Sequence, residues 1–398
     1  MITLKEKRIL LGVTGGIAAY KTCELVRLLK KAGAEVRVVM TESAKQFVGE
    51  ATFAALSGQP VSSSLWDNES KINHIALVEN ADLIVVAPAT ANILAKAANG
   101  IADDLLSTCI LARRCPILFA PAMNKNMWSN AATQRNVTLL SEDGVLLSGP
   151  EAGSQACGDI GMGRMREPAE IFSDVLRFFS KPVLKGKKVL ITAGPTFEAF
   201  DPVRGLTNKS SGKQGIAIAK AAWYAGAEVT LVCGPCPVPS IRGIHRIDVV
   251  SAQEMLDVCL KVCGEDHPDL FIGVAAVSDW KPTAYNKNKI KKDGSTCHLP
   301  VDFVQNPDIL STVSHLPNAP VCIGFAAETD NLIEYAQSKL QKKKLSMIVA
   351  NDAQVIGKDT NRAYFVEADK VTEFDEMTKE ALAEKLIQKA SVLLQEHN

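Results

Sequence analysis

The sequence predicts an α/β protein made of two tandem Rossmann-like, three-layer domains with largely parallel sheets. Three observations carry that expectation. A continuous apolar run, Arg8 to Thr14, ends in Thr14-Gly15-Gly16, gives way to a helical pattern from Ile17 to Lys31, and is followed by a second apolar run from Glu35 to Met40. Parallel strands covered on both faces read as unbroken apolar runs, and strand, glycine loop, helix and strand in that order open a doubly wound sheet. The same grammar restarts near Lys188, where Ala225-Gly226-Ala227-Glu228-Val229 repeats Ala32-Gly33-Ala34-Glu35-Val36 almost letter for letter. Finally, 398 residues suffice for two separate cores.

Taken in order, Ala32-Gly33-Ala34 closes the first helix, because glycine past the last turn accepts the left-handed conformation that ends helices. Leu83 to Ala87 and Ile117 to Ala120 supply further buried strands, with helices at Ile93 to Ala98 and Asp103 to Arg113. Gly149, Gly153, Gly158, Gly161 and Gly163 then crowd a stretch ending at Arg166, a density that predicts a mobile flap. A helix from Ala169 to Phe179 precedes a short basic segment, Ser180 to Lys188, whose Pro182 and Gly186 mark it as a linker. The expected domains are therefore residues 1–182 and 183–398. The second holds strands at Lys188 to Thr192, Leu270 to Ala275, Val321 to Phe325 and Met347 to Ala350. It also holds a helix from Gln214 to Tyr224, a hairpin of Tyr364 to Val366 with Val371 to Phe374, and a closing helix from Thr378 to Leu394.

Composition excludes several function classes. Hydrophobic residues at 47% and charged residues at 22% describe a globular chain, and 44 basic against 44 acidic residues favour neither a nucleic acid nor a membrane surface. Ten cysteines without even spacing argue for reduced thiols in a cytoplasmic protein, and the lone Cys233-x-x-Cys236 in a Pro-rich turn reads as structural. Lys5-Glu6-Lys7-Arg8 runs straight into a strand, so no signal peptide is expected, and no apolar run approaches the ~20 residues that span a bilayer.

Three loops should converge on the carboxyl edge of the first sheet, where ligands bind in such folds. Thr14-Gly15-Gly16 opens a helix and can hold a phosphate on backbone N–H groups; Thr41 and Ser43 follow the second strand; Pro88-Ala89-Thr90-Ala91-Asn92 opens another helix. A fourth loop, Pro121-Ala122-Met123-Asn124-Lys125-Asn126-Met127-Trp128, gathers soft apolar side chains around neutral amides, the make-up of a small-molecule pocket. With Gly15-Gly16-Ile17-Ala18-Ala19-Tyr20-Lys21 and Ala156-Cys157-Gly158, these motifs occur in an order that resembles the flavin-containing cysteine decarboxylases, specifically the phosphopantothenoylcysteine decarboxylase domain, over roughly residues 5–180.

The resemblance implies FMN held by Gly15, Gly16, Thr41, Ser43, Pro88, Ala89, Thr90, Asn92 and Thr108, in a homotrimer whose sites lie between subunits. The chemistry makes sense of the residues. A carboxylate on saturated carbon needs an electron sink, which oxidation of the neighbouring thiol to a thioaldehyde provides, with FMN taking the hydride. The carboxylate should be gripped by a neutral group, since a cation would stabilise the charge that must leave. Asn124 suits that role. Cys157 would protonate the enethiolate from a closing lid, and His74 matches the family's essential histidine and would assist proton removal from the thiol.

In the second half Thr192-Ala193-Gly194-Pro195-Thr196, Asp201-Pro202-Val203-Arg204 and Thr207-Asn208-Lys209-Ser210-Ser211-Gly212-Lys213 precede a helix. This is not a P-loop: six residues separate Gly205 from Gly212 where that motif has four, and Gln214 stands where Ser or Thr would bind Mg²⁺. Lys281, Lys287, Lys289, Lys291 and Lys292 cluster further on, and Lys339 and Lys343, four apart on a predicted helix, share a face. That much positive charge suits a triphosphate. Together with Ala275-Ala276-Val277-Ser278-Asp279, Asn306-Pro307-Asp308-Ile309 and Ala350-Asn351-Asp352, these motifs resemble the phosphopantothenate–cysteine ligase domain over roughly 186–395, in the order of the bacterial bifunctional coenzyme A biosynthesis fusion. Phe197 departs from the arginine common in relatives.

The resemblance implies CTP with Mg²⁺, 4′-phosphopantothenate and L-cysteine as substrates and an acyl-cytidylate intermediate. It places Lys289 on the phosphates, Asn208 on the intermediate with Arg204 nearby, and Ala275, Ala276, Asp279, Asn306, Pro307, Asp308, Ile309, Phe325, Lys339 and Lys343 around CTP. Dimers of this half and trimers of the first are compatible with a dodecamer. Two other readings fit the residues less well. A non-catalytic FMN-binding regulator would not need both Asn124 and Cys157, and a nicotinamide oxidoreductase would carry the G-x-G-x-x-G that both halves lack.

Overall fold

A computed structural model of the chain describes residues 3–66, 73–239, 241–291, 299–328, 331–352 and 359–397. It divides into two compact units, one running to Phe179 and the other beginning at Ser180. Among the described residues no helix is long and apolar enough to cross a membrane. Lys292 of the lysine cluster lies outside the described residues.

The first unit runs β1 (Arg8–Val13), α1 (Ala19–Lys31), β2 (Glu35–Met40), α2 (Glu50–Ser57), α3 (Asn73–Val78), β3 (Leu83–Ala89), α4 (Ala91–Ala98), α5 (Leu105–Leu111), β4 (Ile117–Pro121), α6 (Lys125–Ser129), α7 (Ala131–Glu142) and β5 (Leu146–Leu147). The strands form one parallel sheet in the order β2-β1-β3-β4-β5. All seven residues of β3 and all five of β4 are buried, so both sheet faces are covered and the apolar runs needed no alternation. Leu10, Ile84 and Phe119 from the sheet pack with Leu94 and Leu106 from α4 and α5.

The glycine-rich stretch differs from the expected mobile flap. It folds as an antiparallel hairpin, β6 (Glu151–Ser154) and β7 (Ile160–Arg164), before α8 (Pro168–Phe179). Gly163, at φ +129°, lets β7 come so near the loop after β4 that a Cβ there would sit 2.4 Å from the Met123 carbonyl oxygen. Glycine here serves close backbone approach.

The second unit continues with β8 (Lys188–Ala193), β9 (Phe197–Ala199), β10 (Gly205–Thr207), α9 (Lys213–Tyr224), β11 (Glu228–Cys233), β12 (Ile244–Asp248), α10 (Ala252–Glu265), β13 (Leu270–Gly273), β14 (Trp280–Pro282), β15 (Phe303–Gln305), α11 (Ile309–Ser314), β16 (Val321–Glu328), α12 (Leu332–Lys342), β17 (Met347–Asp352), β18 (Thr360–Val366), β19 (Val371–Thr378) and α13 (Lys379–Glu396). Eight strands form a sheet ordered β12-β11-β8-β13-β16-β17-β18-β19, parallel as far as β17, with the hairpin β18–β19 added antiparallel at one edge. Leu190, Phe271 and Ile348 pack against Met255 of α10 and Val313 of α11. The chain is thus α/β with two Rossmann-like units, as the apolar runs implied.

Candidate active sites

In the first unit the predicted cradle loops meet at the carboxyl ends of β1, β2 and β3. The buried Thr14 hydroxyl donates to the Pro88 carbonyl at 2.7 Å and accepts from the Thr90 backbone N–H at 3.3 Å. A Cβ on Gly15 would lie 2.3 Å from Ser43 Cβ, and one on Gly16 would touch Thr90 and Pro88, so glycine is what lets the first loop settle onto the other two. Thr41 N–H donates to the Val13 carbonyl, Thr90 caps α4, and Asn92 stands exposed in its first turn. Backbone, hydroxyls and an open helix start make a donor set that fits a phosphate-bearing flavin nucleotide. Thr108 turns its hydroxyl back to the Asp104 carbonyl at 2.7 Å, within α5. His74 lies in α3, which packs on α5, and among the described residues no hydrogen bond links it to Asn124 or Cys157.

The loop after β4 carries the clamp residues. Ala122 N–H donates to the Ala89 carbonyl, and Met123 N–H to the Gly163 carbonyl at 2.8 Å, pinning the loop between cradle and hairpin. Asn124 is the N-cap of α6: its Oδ1 accepts the Asn126 N–H at 2.8 Å. That bond assigns the amide orientation and turns Nδ2 towards the hairpin. There Nδ2 lies 3.2 Å from the Cys157 sulfur and donates to Asp159 Oδ2 at 3.0 Å. The Cys157 thiol lies 3.5 Å from the same Asp159 oxygen, and the other oxygen pairs with Lys125 Nζ at 3.1 Å. Hydrogen bonds from Asn124, then Lys125 and Cys157, hold the Asp159 carboxyl below its ordinary range. Met123 packs on the core beneath, so only part of the loop's apolar content faces outward.

The second unit holds a cavity of about 890 Å³ above the carboxyl ends of β8, β13 and β16. Asn208, Ala275, Ala276, Asp279, Asn306 to Ile309, Phe325 and Lys343 line it. The Asn208 amide donates to the Ala276 and Val277 carbonyls at 3.2 and 3.0 Å, fastening the loop before α9 to the loop after β13. Asn306 donates to the Ser278 carbonyl at 2.8 Å, while its own Oδ1 is buried without a partner among the described residues. Asp308 caps α11 and pairs with Lys343 at 2.7 Å.

Three predicted residues stand apart from this wall. The Arg204 guanidinium is held by Asp201 (2.7 Å) and the Ile290 carbonyl (2.8 Å). Burial acts to raise the Asp201 pKa but is outweighed by Arg204 and three backbone N–H groups, which bring it down to about 2. Lys289 is exposed beside that anchor and does not line the cavity. Lys343 is the cap residue of α12 and its backbone N–H donates to the Lys339 carbonyl at 3.0 Å, one turn below, yet of the two only Lys343 lines the cavity.

The cavity also recruits residues the sequence did not assign to a site, notably Gln214, Asn361 and Lys379. Asn361 and Lys379 are 3% and 7% exposed, and Oδ1 of Asn361 and Oε1 of Gln214 are buried without partners among the described residues. Burial, then Lys213 nearby, holds the Lys379 ammonium below its usual range. The closing helix read from Thr378 already puts Lys379 at a helix start, and Thr378 caps α13 as that reading implies; nothing local would have brought it to α9.

Comparison with known proteins gives two family models that share the chain between them. "Flavoprotein" matches residues 2–180 and "DNA/pantothenate metabolism flavoprotein C-terminal domain" matches 184–393. Proteins called coenzyme A biosynthesis bifunctional protein CoaBC are similar over nearly the whole length. That of Vibrio vulnificus is 49% identical over 364 residues, 91% of this chain and 90% of the relative. That of Vibrio cholerae is 50% identical over 91% of each chain, and that of Escherichia coli K12 45% identical over 100% of both.

Proposed function

The chain belongs to the family of coenzyme A biosynthesis bifunctional proteins, as a decarboxylase joined to a ligase, and we propose that its halves run consecutive steps in reverse chain order. The second half would join 4′-phosphopantothenate to L-cysteine at the expense of CTP; the first would convert the resulting phosphopantothenoylcysteine to 4′-phosphopantetheine.

The observation that carries the decarboxylase reading is the pairing of Asn124 with Cys157 across the contact between loop and hairpin, 3.2 Å apart. FMN, held by the Gly15–Gly16, Thr41–Ser43 and Pro88–Asn92 loops with Thr108, would supply two-electron chemistry at the substrate's thiol carbon. Asn124 holds the carboxylate through a neutral amide, which gives up little when the charge departs as CO2. Cys157, in the hairpin turn, would hold the proton for the enethiolate that remains. His74 assists removal of the thiol proton.

In the second half the acid's carboxylate attacks the α-phosphate of CTP, expelling pyrophosphate, and the amine of cysteine then displaces CMP. Lys343, Asp279, the Asn306–Ile309 loop and Phe325 hold the nucleotide, joined by Lys339 and, with Mg²⁺, by Lys289 on the phosphates. Asn208 and Arg204 serve the acyl cytidylate. The protein works in the cytoplasm as a homo-oligomer.

The test is a pyrophosphate assay over several nucleotides, with the purified flavin-loaded protein. Release from CTP only when 4′-phosphopantothenate is present is expected, and equal release from ATP would overturn the nucleotide assignment. The same preparation should be yellow and release CO2 from phosphopantothenoylcysteine; protein that stays colourless after incubation with FMN would overturn the first half.

A further inference from the structure

We propose that Asp159 occupies the carboxylate seat of the decarboxylase clamp, so that substrate enters by exchanging its own carboxylate for that of Asp159. The inference deepens the decarboxylase reading and rests on it. Asn124 Nδ2, the one group assigned to grip the departing carboxylate, already donates to a carboxylate oxygen at 3.0 Å. Its two amide N–H groups face that oxygen and the Cys157 sulfur at 3.2 Å, and Oδ1, held by the Asn126 N–H, can only accept, so no N–H is left for a second carboxylate. One must yield.

The second contact of Asp159 says what it does once displaced. Lys125 adjoins Asn124 in sequence, and its ammonium pairs with the other Asp159 oxygen at 3.1 Å. A free cation at that spot would hold the substrate's carboxylate and oppose its loss as a neutral gas. Asp159 masks Lys125 and keeps the clamp neutral while leaving the amide to the substrate. The Cys157 thiol, 3.5 Å from the shared oxygen, ties this exchange to the hairpin turn that carries the proton donor. Asp159 is thus a positioning residue, acting through Asn124 and Lys125. The charged and titratable groups facing it are Lys125 of α6 and Cys157 of its own turn.

The test compares two ligands by calorimetry on the FMN-loaded full chain: the serine counterpart of phosphopantothenoylcysteine, which keeps the carboxylate, and 4′-phosphopantetheine, which lacks it. Asp159→Asn should bind the carboxylate ligand about fivefold more tightly, the scale of one exposed ion pair, with 4′-phosphopantetheine unchanged. With the true substrate, KM should fall and kcat fall with it, and adding Lys125→Gln should return the affinity towards wild type. Equal shifts for both ligands, or no shift for either, would overturn the proposal while Asn124→Ala still weakens the carboxylate ligand. If Asn124→Ala leaves that ligand's affinity untouched, the clamp reading itself fails and the exchange falls with it.

Discussion

The two candidate sites sit at equivalent edges of similar sheets yet handle negative charge in opposite ways. In the first, the group we propose to face the reacting carboxylate, Asn124, is a neutral amide, and the ammonium beside it, Lys125, is tied to Asp159. In the second, the cavity wall carries Lys209, Lys213, Lys343 and the buried Lys379. On the proposed function, the difference follows from what each anion must do. A carboxylate that leaves as CO2 loses its charge, so any cation that binds it raises the barrier; a triphosphate keeps its charge throughout and gains from every cation. One topology supports both because the chemistry rests on loops at strand ends, not on the sheet.

That contrast can be attacked directly. Cys157→Ser should cut formation of reduced product by on the order of a thousandfold, while CO2 release continues and ligase turnover is unchanged, as measured by separate CO2, product and pyrophosphate assays. A parallel fall in ligase rate would mean the halves are not independent. Asn124→Lys, which puts a cation where the clamp is neutral, should tighten the carboxylate ligand yet slow CO2 loss by about a hundredfold. Faster decarboxylation would break the comparison outright. Smaller effects mark the scaffolds. Gly212, the N-cap of α9, holds φ +71°, and a Cβ there would lie 3.0 Å from the Cys236 sulfur. Gly212→Ala should therefore cost about 1–2 kcal/mol, seen as faster hydrogen exchange in β8 and α9 with β1 and β3 unaffected. The smallest effect at working pH concerns Asp201. Its folded pKa is about 2 against an ordinary 3.8, so its contribution is complete above pH 4 and is lost as pH falls through 2. An acid titration followed at β9–β10 should show that loss in the wild type and not in Asp201→Asn.

Much of the fold was legible because buried parallel strands advertise themselves as apolar runs. β1, β3, β4 and β8 lie within a residue or two of where those runs placed them. Weaker signals were passed over. Ser251-Ala252-Gln253-Glu254 is a capping-box sequence, and α10 does start there, with Ser251 accepting the Glu254 N–H and Glu254 accepting the Val250 N–H. Short pairs such as β9–β10 and β14–β15 have three residues per strand, too few for any period to show. The glycine-rich stretch shows a different limit. Composition cannot distinguish glycine that frees a chain from glycine that lets two backbones touch, and at Gly163 the second holds.

By itself the sequence determined the two α/β units, their order, and which loops leave the strand ends bearing amides, thiols and lysines. Those properties follow from local pattern, since apolar periodicity and glycine placement act within a few residues. Only the tertiary structure decided which side chains meet. Asn124 reaches Cys157 because β7 hydrogen-bonds to the loop after β4; Lys379 reaches the wall beside Gln214 because α13 packs on α9; Arg204 is drawn to the Ile290 carbonyl. Each meeting depends on long-range hydrogen bonds and on the shape left by packed backbones, and neither is written in the spacing of residues along the chain.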